Sequence, residues 1–545
     1  MPTIIKGNIL DVFSGAIFAG KITIEGKKIS NVEKISEQVE NFILPGFIDA
    51  HIHIESSMLT PSNFARAVVP HGTVAVVADC HEIANVLGVD GIAFMINNSK
   101  LSPMKLFFAA PSCVPATPFE TAGATVTSKD IAELMQLKEV VCLGEMMNFP
   151  GVINNDHEVL RKLIAAKRFG KPIDGHCPGL SGDALKKYVD AGISTDHECT
   201  SLAEAEEKVR LGMKILIREG SSAKNMAALI NIAKKYDWHM FVSDDIHADD
   251  LAEGHMNILL KKAVSLGLHP VKAVRMVTLN PVRHYKLGVG LLQIGDDADI
   301  AVVDNLRDFN VIETWIKGNL VASGMAPLFE SGSTEYENNF IASNKNPSDF
   351  KVPAPGGLTE VNCITAVDGQ IVTGRAVEEL LVENGSVVPD ETKDVLKIAV
   401  LCRYGNNKVA AGFVKGFGLK RGAIASSVAH DSHNIIAVGT NDADIAAAVN
   451  RIIEKKGGLA VANDGDIIGE IALPVAGLMS ANVVEYVSGE LSNLSDAVKL
   501  IGCRLRAPFM TLSFMALPVI PELKITDMGL FDVTRFEFLN VVVKD

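Results

Sequence analysis

Two histidines two residues apart, His51 and His53, close the apolar run 46–54. On an extended strand such a pair projects to one face, and imidazole is a common ligand for divalent transition metals. Glu145, His176, His197 and Asp244 each follow a later short apolar run. All six are ligand types for a borderline divalent ion. Six exceed what one tetrahedral ion needs, so the inference is two ions, bridged by a carboxylate and a hydroxide and about 3.5–4 Å apart. The chemistry open to such a centre is hydrolysis by an acidified water. Any one of these residues alone is more often a packed or capping group. It is their coincidence at five run ends that points to metal.

The elements that must bring them together are eight apolar runs, 46–54, 73–78, 105–110, 140–144, 172–175, 193–195, 213–217 and 239–242. Stretches with helical spacing, such as 158–169 and 202–211, separate them. Eight β-then-α units in about 240 residues have the rhythm of a TIM barrel, whose catalytic groups sit at the C-terminal strand ends. A doubly wound open sheet is the alternative, but no Gly-x-Gly-x-x-Gly turn supports it. His71, His157, His239, His255, His269 and His284 fall in helices, strand starts or loops and read as structural; His247 stays open.

The expected fold is therefore α/β, a (β/α)₈ TIM-type metal-dependent hydrolase barrel over 43–290. Strand-and-turn texture at 1–42 and 291–328 predicts a small composite β-sandwich built from both flanks. Residues 330–357, rich in Ser, Asn, Pro and Gly, read as a linker or surface excursion. Beyond them, 358–545 reads as an additional α+β C-terminal domain, with strands at 409–414 and 435–438 and helices at 442–454 and 493–505.

The net charge of −14 and the lack of a basic arm exclude a nucleic-acid backbone as partner and suit a small uncharged substrate. No signal peptide and no membrane span are legible. The eight cysteines are scattered without a Cys-x-x-Cys pair, which reads as reduced thiols in the cytoplasm. A homo-oligomer, a dimer for choice, is the base-rate expectation.

Leu44-Pro45-Gly46-Phe47-Ile48-Asp49-Ala50-His51-Ile52-His53 resembles the opening strand of the amidohydrolase superfamily, and Gly295-Asp296-Asp297-Ala298-Asp299-Ile300 resembles its returning sandwich strand. A closer resemblance, over the whole chain, is to the bacterial adenine deaminases. It is carried by His53-Ile54-Glu55-Ser56-Ser57-Met58, Asp79-Cys80-His81-Glu82-Ile83, Ser112-Cys113-Val114-Pro115-Ala116, Glu145-Met146-Met147, Asp174-Gly175-His176-Cys177-Pro178-Gly179, Ile217-Arg218-Glu219-Gly220-Ser221 and His430-Asp431-Ser432-His433-Asn434. The resemblance implies hydrolysis of adenine to hypoxanthine and ammonia in purine salvage, by metal-bound hydroxide at C6, with Mn(II) or Fe(II). From the residues alone, Zn, Mn, Fe and Ni suit equally. Many superfamily members bridge their metals with a carboxylated lysine after strand four. Here the position is Glu145, which must bridge directly, as the resemblance also implies.

By resemblance Asp244 takes the water proton and passes it to the leaving nitrogen. Glu82 is the candidate second proton carrier, with ordering of His81 or the Asp79 turn as its structural alternative. Arg218, Glu219 and Ser112, at strand ends, are candidates for substrate contact; for Arg218 and Glu219 a structural ion pair is an equal alternative. Asp79, His81, His430 and His433 are possible accessory residues. The two C-terminal histidines could close over the barrel mouth, bind an extra metal or cap a polar turn. Asp245, next along the strand from Asp244, is expected to face the opposite side. Two other functions stay open: an amidohydrolase acting on a cyclic amide or another nucleobase-like heterocycle, and a non-enzymatic scaffold, which loss of ligands would mark.

Overall fold

The computed structural model describes residues 2–221, 223–336 and 338–543. Contacts divide them into two units. The first comprises residues up to 80, 93–112 and 127–334; the second comprises 81–92, 113–126 and the described residues from 335 onward.

In the first unit, eight short parallel strands follow one another. Phe47–Ile52, Thr73–Asp79, Lys105–Ala110, Val140–Met146 and Ile173–Gly175 form a five-stranded sheet, and Thr195–Asp196, Lys214–Arg218 and Met240–Val242 a three-stranded one. The amide of Ser194 donates to the Ile173 carbonyl, joining the fifth strand to the sixth. A parallel bridge between Ile52 and Asp244, with Asp244 N–H donating to His51 O at 3.1 Å, joins the eighth to the first. The ring is closed, as a TIM-type barrel requires. Every residue of the first two strands is buried, because one face fills the interior while the other meets helices. The helices supply the amphipathic partner. In His157–Arg168, Val159, Leu163 and Ala166 face inward, Asp156 caps the start by accepting from the amides of Glu158 and Val159, and Lys167 and Arg168 close the last turn.

Strands from both flanks form one eight-stranded sheet, in which Phe42–Pro45 pairs with Thr3–Leu10 on one side and Ile300–Val303 on the other. The aspartates of the returning motif serve structure: the buried Lys105 ammonium on the third barrel strand donates to Asp297 at 2.7 Å and Asp299 at 2.6 Å.

The second unit is built on a nine-stranded mixed sheet that includes Val409–Lys415 and Ile435–Gly439, with helix Asp442–Lys455 against it. The helix expected at 493–505 is instead Val484–Leu500. Its apolar stripe, Val484, Val487, Leu491, Leu494 and Val498, starts nine residues earlier and runs on through Gly489. The stretch 330–357 has little regular structure, but Phe350 in it is fully buried in the second unit's core, which makes that part an anchored segment and not a surface excursion. Among the described residues no helix is long and apolar enough to cross a membrane.

Candidate metal centre

His51, His53, Glu145, His176, His197 and Asp244, which leave five different strands, converge in the first unit, all of them buried. His53 Nε2 lies 3.2 Å from Glu145 Oε1 and 3.2 Å from Asp244 Oδ1, and His51 Nε2 lies 3.5 Å from the same Asp244 oxygen. The other Glu145 oxygen faces His197 Nε2 at 3.2 Å and His176 Nδ1 at 2.5 Å. One carboxylate thus presents an oxygen to each of two ligand sets, His51, His53 and Asp244 on one side and His176 and His197 on the other. This is the disposition of a bridging ligand.

Neighbouring groups prepare the set. His53 Nδ1 donates to the Asp79 carbonyl at 2.9 Å, leaving the Nε2 lone pair for a cation. Asp79 Oδ2 accepts from the Glu145 amide at 2.9 Å. A Cβ on Gly144 would come within 2.1 Å of that oxygen, so only glycine admits the contact. Ser112 Oγ donates to the Glu145 carbonyl at 2.5 Å, holding the same residue from another strand. Below the ligands Asp49 accepts from Ser243 and approaches His255 Nε2 at 3.1 Å, tying the first strand to the eighth.

The site fits metal on its own chemistry. His51 Nε2 is buried and makes no hydrogen bond, as does the far nitrogen of His176. Burial alone would raise the Glu145 and Asp244 carboxyls, but facing imidazoles hold both well below the carboxylate range, joined at Asp244 by the Arg218 guanidinium. Burial lowers His53 and His197, but hydrogen bonds and charge from these carboxylates raise both strongly. Anions and imidazoles this close imply a shared cation, either protons or metal ions.

One expectation, about Asp244 and its neighbour Asp245, needs correction. Asp244 does not lie on a strand: the eighth ends at Val242, and Asp244 has φ +60°. Asp245 is consequently not turned to the opposite face. It accepts from Ser56 at 2.6 Å and offers an oxygen near His53 and Asp244. Glu219, read as either a substrate contact or a structural ion pair, caps helix Met226–Lys235 through the Met226 amide and pairs with Lys262. Of its two alternatives, the structural one applies.

Arg218 is likewise engaged. Its two terminal nitrogens grip Glu198 at 2.5 and 2.8 Å, and one reaches Asp244 Oδ2 at 2.7 Å. Glu198 went unnoticed in the sequence, although it directly follows a ligand histidine. It is buried, 3.4 Å from His197 Nε2, and although burial opposes this, the Arg218 charge holds its carboxyl at about 2. Glu82, His81, His430 and His433 belong to the second unit.

A closed parallel barrel with six ligand-type residues at its C-terminal strand ends defines the class, that of the amidohydrolases. Residues 42–321 match the amidohydrolase family, and 370–537 the adenine deaminase C-terminal domain. Over 540 residues the chain is 51% identical to an adenine deaminase of Methanothermobacter thermautotrophicus, covering 99% of each. It is 47% identical to one from Salinibacter ruber, covering 98% of each, and 46% identical to one from Borreliella burgdorferi, covering 98% of this chain and 99% of that one. The chain belongs to the adenine deaminase family.

Proposed function

We propose that this chain hydrolyses adenine to hypoxanthine and ammonia at the cluster of His51, His53, Glu145, His176, His197 and Asp244. The observation that carries the reading is Glu145, one buried carboxylate whose two oxygens face separate histidine sets. His51, His53 and Asp244 would hold one divalent ion and His176 and His197 a second, with Glu145 common to both and Mn(II) or Fe(II) as the metals. When bound, such ions supply Lewis acidity that brings a water's pKa towards neutrality.

The chain's own groups do the rest. Asp244 keeps Oδ1 toward His51 and His53 and Oδ2 on Arg218, so its carboxylate is oriented before substrate arrives. It accepts a proton from the water that adds to C6 and returns it to the exocyclic nitrogen as the bond from C6 to that nitrogen breaks; water's oxygen stays on C6 as the carbonyl, its second proton ends on ring N1, and the amine leaves as ammonia. Arg218 and Glu198 position Asp244, and Ser112 and Asp79 position Glu145. The division into a composite β-sandwich (1–42 with 291–328), a barrel (43–290) and a C-terminal domain (358–545), a cytoplasmic location and a homodimeric state belong to the same proposal.

Ammonia release from a panel of purines and pyrimidines, with ring opening of hydantoins measured alongside, tests it. Adenine is expected to have the highest kcat/KM. Preferred opening of a cyclic amide would transfer the chain to the alternative chemistry.

A further inference from the structure

A second set of ligand-type residues lies wholly within the second unit. His81 and Glu82 open helix His81–Leu87, and His430 and Asp431 lie in the turn between strands Ala423–Ser426 and Ile435–Gly439. All four are at most 4% exposed. His81 Nε2 is 3.5 Å from Asp431 Oδ1; His430 Nδ1 is 3.6 Å from that oxygen and 3.7 Å from Glu82 Oε1. These separations exceed an N–H···O hydrogen bond, which spans roughly 2.7–3.2 Å. They fit the edges of a coordination shell: bonds of about 2.0–2.2 Å in tetrahedral geometry set neighbouring ligand atoms about 3.3–3.6 Å apart. The set in the first unit is somewhat tighter, 3.2–3.5 Å between His51 or His53 and their carboxylates.

A separate observation points to a ligand. Asp431 Oδ2 is buried and accepts no hydrogen bond, and both ring nitrogens of the fully buried His433 are likewise without partners. An ionised carboxylate oxygen left without a donor in the interior is costly; a cation held by the same carboxylate removes that cost. The cluster is also held in place: His430 stacks on Phe514 at 4.7 Å and 8°, and Tyr404 Oη donates to the Ser432 carbonyl at 2.6 Å.

We propose that His81, Glu82, His430 and Asp431 bind a further divalent transition-metal ion, additional to those of the first unit. Mixed imidazole and carboxylate ligation selects ions such as Mn(II), Fe(II) or Zn(II). Glu82 then acts as a ligand and not as the second proton carrier, since its facing oxygen is engaged on the cation.

The test is titration of the full-length apoprotein with Mn²⁺ alone, following free Mn²⁺ by EPR, for wild type, His430→Ala, Asp431→Asn and the isosteric Glu82→Gln. His430→Ala and Asp431→Asn are expected to bind one equivalent fewer than wild type. Glu82→Gln is expected to keep the site at an affinity at least about tenfold lower, within the range expected when a metal's supporting groups are lost. Equal stoichiometry and affinity in wild type and any variant that keeps the wild-type far-UV spectrum would overturn the assignment. The difference between variant and wild type decides, not the absolute count, so failure of the two-ion reading of the first unit would leave this result interpretable. Loss of adenine turnover without loss of an ion would likewise count against the site.

Discussion

Asp244 is placed to do two jobs, and its two oxygens divide them. Oδ1 faces His51 and His53, while Oδ2 is held by Arg218. Asp244→Asn keeps the shape and one weak oxygen donor but cannot carry a proton. Its turnover of adenine is expected to fall about 10²–10⁴-fold under metal saturation, with KM changed far less. Single-turnover measurement checks this, and wild-type rates would remove Asp244 from the chemistry. At Glu145 the expected failure differs. Glutamine there cannot serve two cations as an anion, so Glu145→Gln should lose bound metal as well as rate, which elemental analysis of the purified variant reads directly. Two retained ions at full activity would show that another group bridges. Gly144→Ala carries no charge change, yet its Cβ would press on Asp79 Oδ2, which holds the Glu145 amide. It is expected to cost activity through displacement of Glu145, and a structure of the variant with the Asp79 contact intact would contradict that.

At the scale of elements, the strand ends are held by buried ion pairs. The sixth strand is only Thr195–Asp196, and the next residue is the ligand His197. Asp196 accepts from Lys208 at 2.9 Å, both fully buried, and Lys208 also caps the Cys177 carbonyl at 2.8 Å beside His176. Two ligand-bearing loops therefore hang on one ammonium. Lys208→Met leaves the Asp196 charge buried without its partner, at an expected cost of about 3–5 kcal/mol, measurable by denaturant unfolding. Burial opposes ionisation of Asp196, but Lys208 holds its carboxyl below the ordinary value. A depressed carboxyl contributes stability that is present above its unfolded pKa and lost as pH falls. The gap between wild type and Lys208→Met should thus persist at neutral pH and shrink below about pH 4, the ordinary aspartate range. A gap independent of pH down to pH 2 would mean that the pair is not the cause.

For the whole molecule, a ligand that binds only the native state stabilises it by RT ln(1 + [L]/Kd), roughly 4 kcal/mol at a thousandfold excess over Kd. Chelation should therefore lower the thermal midpoint, and Mn²⁺ should restore it. An unchanged midpoint after complete metal removal would contradict a buried cluster of imidazoles and carboxylates built to share cations. What the sequence by itself determined was the barrel and the six ligand-type residues at its strand ends. Buried parallel strands leave long apolar runs, and a ligand placed just after such a run is legible because its position follows from strand direction alone. Local patterning also located helix Asp442–Lys455, whose periodicity is unbroken, but misplaced the start of Val484–Leu500, whose apolar stripe begins nine residues before position 493. Only the tertiary structure decided which neighbours each ligand has. Glu198, next to His197, and Asp49, two residues before His51, show no spacing signal, since their partners Arg218, Ser243 and His255 are distant along the chain. Asp245 was misjudged for the same reason, and for Glu219 the choice between substrate contact and an ion pair stayed open. A side chain's direction at a strand end depends on where the strand stops and which helix or loop comes back to meet it, and both are set by long-range closure of the barrel, which no local periodicity encodes.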